Sequence, residues 1–223
     1  MVKVKICGIT TVEDAISAIE CGADALGFVF AVSPRQVQPE TVRRIVSELP
    51  PLVTKVGVFV DWTLERVIET MRYCGLDLAQ LHGSESPEYC RALYPRVLKA
   101  FTVRSEIDLL RLPEFPVAGY ILDRPKTSSG ESTGESYDWR LARKASRYGP
   151  VLIAGNLNPD NVADAIAAAE PYGVDVASGV ESKPGRKDKA KMKAFIQAVR
   201  ACQTCTSATH QFQSVPRIGA KRF

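Results

Sequence analysis

Val2-Lys3-Val4-Lys5-Ile6-Cys7-Gly8-Ile9-Thr10 is the stretch whose reading decides the fold. Val2, Val4 and Ile6 alternate with Lys3 and Lys5, the period of a strand with one face buried and its lysines turned to water. Gly8 lets the backbone turn, and Thr10 or Thr11 is placed to cap a helix that begins near Val12. Cys7 therefore stands where a strand opens into a loop, which in a repeating βα fold is the functional rim. A free cysteine is more commonly a small buried hydrophobe, so the rest of the chain has to decide.

Outward from this unit, the pattern of apolar run followed by helical period repeats. Strands are expected at 23–30, 55–60, 78–81, 97–101, 118–122, 151–154 and 174–176. Helices are expected at 12–21, 39–49, 63–74, 87–93, 104–112, from Asp138, at 159–169 and from Lys189 to about Ala201. Gly22 and Gly75 close the first and third helices, and Pro39 lies in the first turn of the second. Strand starts fall roughly 19 to 33 residues apart, the spacing of βαβ units. Strands apolar throughout are buried on both faces, as in a parallel sheet covered by helices. Eight such units predict an α/β chain closed into a single (β/α)8 TIM barrel over residues 1–202, short for that fold. A doubly wound open sheet is the structural alternative, but the first βα turn lacks GxGxxG. Residues 203–223 carry neither period and are expected to be a disordered polar, basic tail.

The composition, 45% hydrophobic and 24% charged over 223 residues, is that of a soluble globular protein. No window approaches a spanning helix and the N-terminus is not an apolar leader, so a cytoplasmic location and no membrane partner are expected. Three of the positive charges behind the net +4 (Arg217, Lys221, Arg222) lie in the tail, which has no acidic residue. The body carries +1, no footprint for nucleic acid. Six scattered cysteines (Cys7, Cys21, Cys74, Cys90, Cys202, Cys205) read as reduced thiols. Cys202-Gln-Thr-Cys205 with His210 is half a metal pattern without a second half, so no metal is expected.

Three signals converge on the loops that follow the strands. Gly155-Asn156 after the seventh strand and Ser178-Gly179 after the eighth allow close backbone approach to an anion, where barrels often bind phosphate. The bland alternative is a pair of tight turns. Cys7 and Asp123 end the first and sixth strands and can face each other across a barrel mouth, one taking a proton and one giving it. That requires a thiol made more acidic and a carboxyl made less so; otherwise Asp123 is a helix cap or an ion-pair partner. Arg35, in Ser33-Pro34-Arg35, can clamp a carboxylate through two nitrogens or be an ordinary surface arginine.

Seven segments in register over residues 3–200 carry a resemblance. They are Lys5-Ile6-Cys7-Gly8-Ile9-Thr10, Gly22-Ala23-Asp24-Ala25-Leu26-Gly27-Phe28-Val29-Phe30, Ser33-Pro34-Arg35, Val56-Gly57-Val58-Phe59-Val60, Gln80-Leu81-His82-Gly83, Leu157-Asn158-Pro159-Asp160-Asn161-Val162 and Gly173-Val174-Asp175-Val176-Ala177-Ser178-Gly179-Val180-Glu181. The chain resembles the phosphoribosylanthranilate isomerases of tryptophan biosynthesis. The resemblance implies an Amadori-type rearrangement of a phosphorylated small molecule, without cofactor or metal. It implies Asp123 as general acid and Cys7 as general base. It implies the phosphate at Gly155, Asn156, Ser178 and Gly179, Arg35 at the anthranilate carboxylate, and supporting roles for His82 and Asp175.

Two departures stand out. Asn156 replaces the second of two glycines, and the loop after Asp123 reads Glu131-Ser132-Thr133-Gly134-Glu135-Ser136, with Glu135 where that family has lysine. They keep open a barrel isomerase for another aminated sugar phosphate; a non-catalytic phosphate-binding barrel, with Cys7 an inert core thiol, is the alternative of a different class. Monomer and homodimer are equally compatible with the sequence.

Overall fold

The computed structural model describes residues 1–123 and 138–204, with the side chains of 203 and 204 excepted. Eight parallel strands close into a barrel in chain order: β1 Lys3–Cys7, β2 Ala25–Val29, β3 Thr54–Phe59, β4 Leu78–Leu81, β5 Val97–Thr102, β6 Gly119–Asp123, β7 Val151–Ile153 and β8 Gly173–Val176. Strand β8 pairs back to β1, with Lys5 opposite Asp175, and this closure excludes the open sheet. The helices α1 Val12–Glu20, α2 Pro39–Ser47, α3 Leu64–Cys74, α4 Pro87–Leu93, α5 Glu106–Leu109, α6 Arg140–Ala145, α7 Val162–Ala169 and α8 Lys189–Thr204 form the outer layer.

The helix boundaries have local causes. The Thr11 hydroxyl accepts from the Asp14 amide at the start of α1, and Thr63 does the same for Arg66 at α3. Gly75, at φ +68°, ends α3 in the left-handed conformation.

Two hydrophobic layers hold the fold. The larger fills the space between barrel and helices, from Val4 and Ile6 on β1 to Phe195 and Val199 on α8. The smaller, of Val56, Leu98, Ala100, Ile121, Leu152 and Ala154, fills the inside of the barrel.

Several expectations are corrected. Lys5 does not face water: it is 1% exposed and points into the barrel, because both faces of a barrel strand are covered. The helix expected over 104–112 is the single turn α5 followed by a 3-10 turn at Leu112–Glu114. Pro113, without an amide hydrogen, cannot continue an α-helical ladder. Helix α7 begins at Val162, not 159, because the Asn158 side-chain oxygen accepts from the Asp160 and Asn161 amides. Helix α8 runs to Thr204, past the expected end. A two-stranded hairpin absent from the sequence reading, β9 Glu181–Lys183 with β10 Arg186–Lys187, follows β8. The altered loop with Glu131 and Glu135, and the tail with Cys205 and His210, lie outside the described residues. Among the described residues no helix is long and apolar enough to cross a membrane.

Candidate active site

The inward residues at the C-terminal ends of the strands open onto one cavity of about 490 Å³. Strands β1, β2, β3, β4, β6 and β8 and the loop that follows β7 contribute, with Cys7, Val58, Gln80, Asp123 and Asp175 among the lining groups. The pairing register explains the convergence. Cys7 lies opposite Gly27, Lys5 opposite Asp175, Gln80 opposite Leu98 and Ile121 opposite Leu152, so these side chains share the inner face.

Cys7 is 8% exposed and reaches the cavity. Its sulfur fits only because position 27 is glycine. A Cβ there would stand 2.7 Å from Cys7 Sγ and 3.0 Å from Lys5 Nζ. Burial pushes the thiol up from its ordinary value and the adjoining Lys5 ammonium offsets only part of that rise, so the more acidic thiol expected at this position is not found in the free site. Lys5 Nζ is itself paired with Asp175 Oδ1 at 2.9 Å. Burial disfavours the Lys5 charge, but Asp175 and Cys7 outweigh burial and keep the ammonium protonated.

Asp123, at the end of β6, is buried and lies 3.5 Å from His82 Nε2. His82 Nδ1 is in turn 3.3 Å from Gln80 Nε2. The turn after His82 is held from beneath by a buried pair, Lys99 Nζ to Glu85 Oε2 at 3.1 Å. Glu85 also accepts from the amides of Asp61 and Gly83, and Lys99 donates to Gly83 O at 2.7 Å.

Gly155 and Asn156 after β7 and Ser178 after β8 also line the cavity. Both residues after β7 have left-handed backbone, Gly155 at φ +89° and Asn156 at φ +58°. Asparagine is among the few side chains that adopt this region readily, so Asn156 reproduces a glycine's backbone there. Gly179 is not a lining residue. It lies behind the loop, where a Cβ would sit 1.9 Å from Leu157 O, so its role is to press the two loops together. Arg35 lines the cavity with its side chain packed under Gly8, where a Cβ would meet Arg35 Cδ at 2.5 Å. The two-nitrogen clamp expected of Arg35 is already occupied: Nε and Nη2 donate to Glu181 on the hairpin, at 2.8 and 2.7 Å.

A family model described as N-(5'-phosphoribosyl)anthranilate (PRA) isomerase matches residues 4–198. The chain belongs to the phosphoribosylanthranilate isomerase family. It is therefore an isomerase, built on the TIM barrel. It is 54% identical over 197 residues to the N-(5'-phosphoribosyl)anthranilate isomerase of Geobacter sp. (strain M21), covering 88% of this chain and 97% of that one. Among solved structures, the phosphoribosyl anthranilate isomerase of Thermotoga maritima is 44% identical with a TM-score of 0.83, covering 90% of this chain and all of that one. Another phosphoribosyl anthranilate isomerase, solved with reduced 1-(o-carboxyphenylamino)-1-deoxyribulose 5-phosphate, is 42% identical with a TM-score of 0.80, over 90% and 100% of the two chains.

In this phosphoribosylanthranilate isomerase family member, the sequence reading overlooked Lys5, Gln80 and the Glu181–Lys187 pair. A signal for Lys5 was present: a lysine inside a strand covered on both faces must be buried and paired. Glu181 and Lys187 carried none, since their meeting depends on the hairpin.

Proposed function

We propose that this cavity converts N-(5'-phosphoribosyl)anthranilate to 1-(2-carboxyphenylamino)-1-deoxyribulose 5-phosphate, the Amadori-type step of tryptophan biosynthesis, in the cytoplasm. The observation that carries the reading is the placement of Cys7 and Asp123 on the inner face of β1 and β6, lining one cavity. Asp123 protonates the ribose ring oxygen as the C1–O bond breaks, leaving an iminium between C1 and the anthranilate nitrogen. The Cys7 thiolate removes the C2 proton, and those electrons neutralise the iminium to give an enolamine. Loss of the C2 hydroxyl proton and protonation at C1 give the ketone, and solvent restores the resting protonation of the pair. The carbon oxidised and the carbon reduced belong to one molecule, so the reading calls for no cofactor.

The same cavity supports a reading of how the substrate is held. Gly155, Asn156 and Ser178 receive the phosphate, with Gly179 keeping their loops in contact. Arg35 meets the anthranilate carboxylate through Nη1, its other two nitrogens being held by Glu181. His82 steadies Asp123, and Asp175 faces the sugar hydroxyls.

The test is the fall in anthranilate-sugar fluorescence on adding enzyme to fresh substrate. Cys7→Ala and Asp123→Asn are each expected to lower kcat by about 10²–10⁴-fold. Full turnover in both would remove the two residues from these roles. Turnover of other aminated sugar phosphates, with none of the anthranilate compound, would overturn the substrate.

A further inference from the structure

Lys5 is a charged side chain sealed inside the barrel, and the steps just described do not use it. It projects from the same face of β1 as Cys7, one pleat deeper. Its ammonium is 2.9 Å from Asp175 and adjoins the Cys7 side chain. Gly27, opposite Cys7 in the register, provides the space that Cys7 Sγ and Lys5 Nζ share.

We propose that Lys5 is a positioning residue for the reaction: its ammonium, anchored by Asp175, holds the Cys7 thiolate at the floor of the cavity while the sulfur takes the substrate proton. The inference rests on Cys7 being the base. A thiolate out of water needs a fixed counter-charge, and the other charges facing Cys7 are less suited to supply it. Lys187, from the hairpin, donates to Glu181 and to Ala177 O. Arg35, from the loop after β2, has its fork on Glu181. His82 and Asp123 stand on β4 and β6, and Asp175 is negative. Lys5 is the cation that shares the space beside Gly27 with the sulfur, its Nζ 3.0 Å and Cys7 Sγ 2.7 Å from the position a Cβ there would take. Asp175 compensates the ammonium and fixes its position, so the cation is in place before substrate arrives.

The experiment follows iodoacetamide alkylation of Cys7 against pH, resolved from the other cysteines by peptide mass spectrometry, without substrate. Lys5→Met is expected to raise the midpoint of thiolate formation by at least about one pH unit. The acid limb of kcat/KM should move up by the same amount, with at least about tenfold loss at pH 7 that narrows at high pH, and with KM little changed. A structural role would lower activity equally at every pH. Should Lys5→Met fold poorly because Asp175 is left unpaired, Lys5→Met/Asp175→Asn removes both charges, and its alkylation midpoint is still expected above that of the wild type. Superimposable alkylation curves for wild type and a folded variant would overturn the proposal. A shifted curve in a protein whose turnover survives Cys7→Ala would instead leave Lys5 in place and remove Cys7 as the base.

Discussion

Arg35 and Glu181 meet edge to edge, Nε to Oε1 at 2.8 Å and Nη2 to Oε2 at 2.7 Å, joining the loop after β2 to the hairpin after β8. Lys187 approaches the same carboxylate at 2.9 Å and is buried with it. Burial pulls the Glu181 carboxyl up, but the hydrogen bonds from Arg35 and Lys187 outweigh it and hold the group below its ordinary range.

Removing this carboxylate should therefore cost stability in a pH-dependent way. Glu181→Gln leaves Lys187 buried against a neutral amide, and a loss of about 3 kcal/mol at pH 7 is expected. The folded pKa is depressed, so the ionised carboxylate contributes above its unfolded value of about 4.3 and the contribution fades as pH falls through the folded value. Urea denaturation at pH 7 and at pH 3.5 should show the wild-type advantage shrinking at the lower pH. A constant difference would contradict it.

Gly27→Ala places a methyl group 2.7 Å from Cys7 Sγ and 3.1 Å from Cys7 Cα. Overpacking of this kind costs about 1–3 kcal/mol. The larger effect should be on catalysis, since displacing the sulfur by a fraction of an ångström should cost about tenfold to hundredfold in kcat. Steady-state kinetics beside a thermal melt will separate the two.

At position 156 the backbone decides what is tolerated. Asn156→Gly should change stability by no more than about 0.5 kcal/mol, because both residues accept left-handed φ. Asn156→Val should cost about 1–2 kcal/mol, because a branched side chain there collides with its own carbonyl. Thermal unfolding of the pair is the check, and equal melting temperatures would remove the argument.

Beneath His82, Glu85→Ala strands the Lys99 ammonium, which is 3% exposed, and frees the amides of Asp61 and Gly83. A loss of about 3–5 kcal/mol is expected. Lys99→Met added to Glu85→Ala should restore part of it, because the orphaned charge is gone. Chemical denaturation of the two singles and the double gives the coupling directly.

The order of the barrel was legible in the chain because local causes set it. The strands at 78–81 and the helix at 87–93 fall where their apolar periods and the flanking Ser86 and Pro87 put them. Thr11 caps as a hydroxyl before a helical period does. Cys7, Asp123, Arg35, His82, Gly155, Asn156, Asp175 and Ser178 were all nameable, since each ends or follows a strand, and the structure gathers them at one cavity.

The alternation of a strand tells which residues share a face. It does not tell that both faces are covered, so the alternation of Lys3 and Lys5 reads as a strand with one face buried although Lys5 is buried too. Gly179 was recognisable as a glycine that a tight loop needs, but the neighbour it makes room for, Leu157 O, comes from another turn of the barrel. The partners of Lys5, Arg35 and Lys99 lie 170, 146 and 14 residues away. Pairing at such range is set by barrel closure and by the hairpin, and no local propensity encodes it. Sequence alone thus determined the succession of strands, helices and candidate groups, because short-range sterics and hydrophobic period act within a few residues. The folded chain decided which charges are buried together, because only the closing of β8 onto β1 brings Asp175 to Lys5, the lysine beside Cys7.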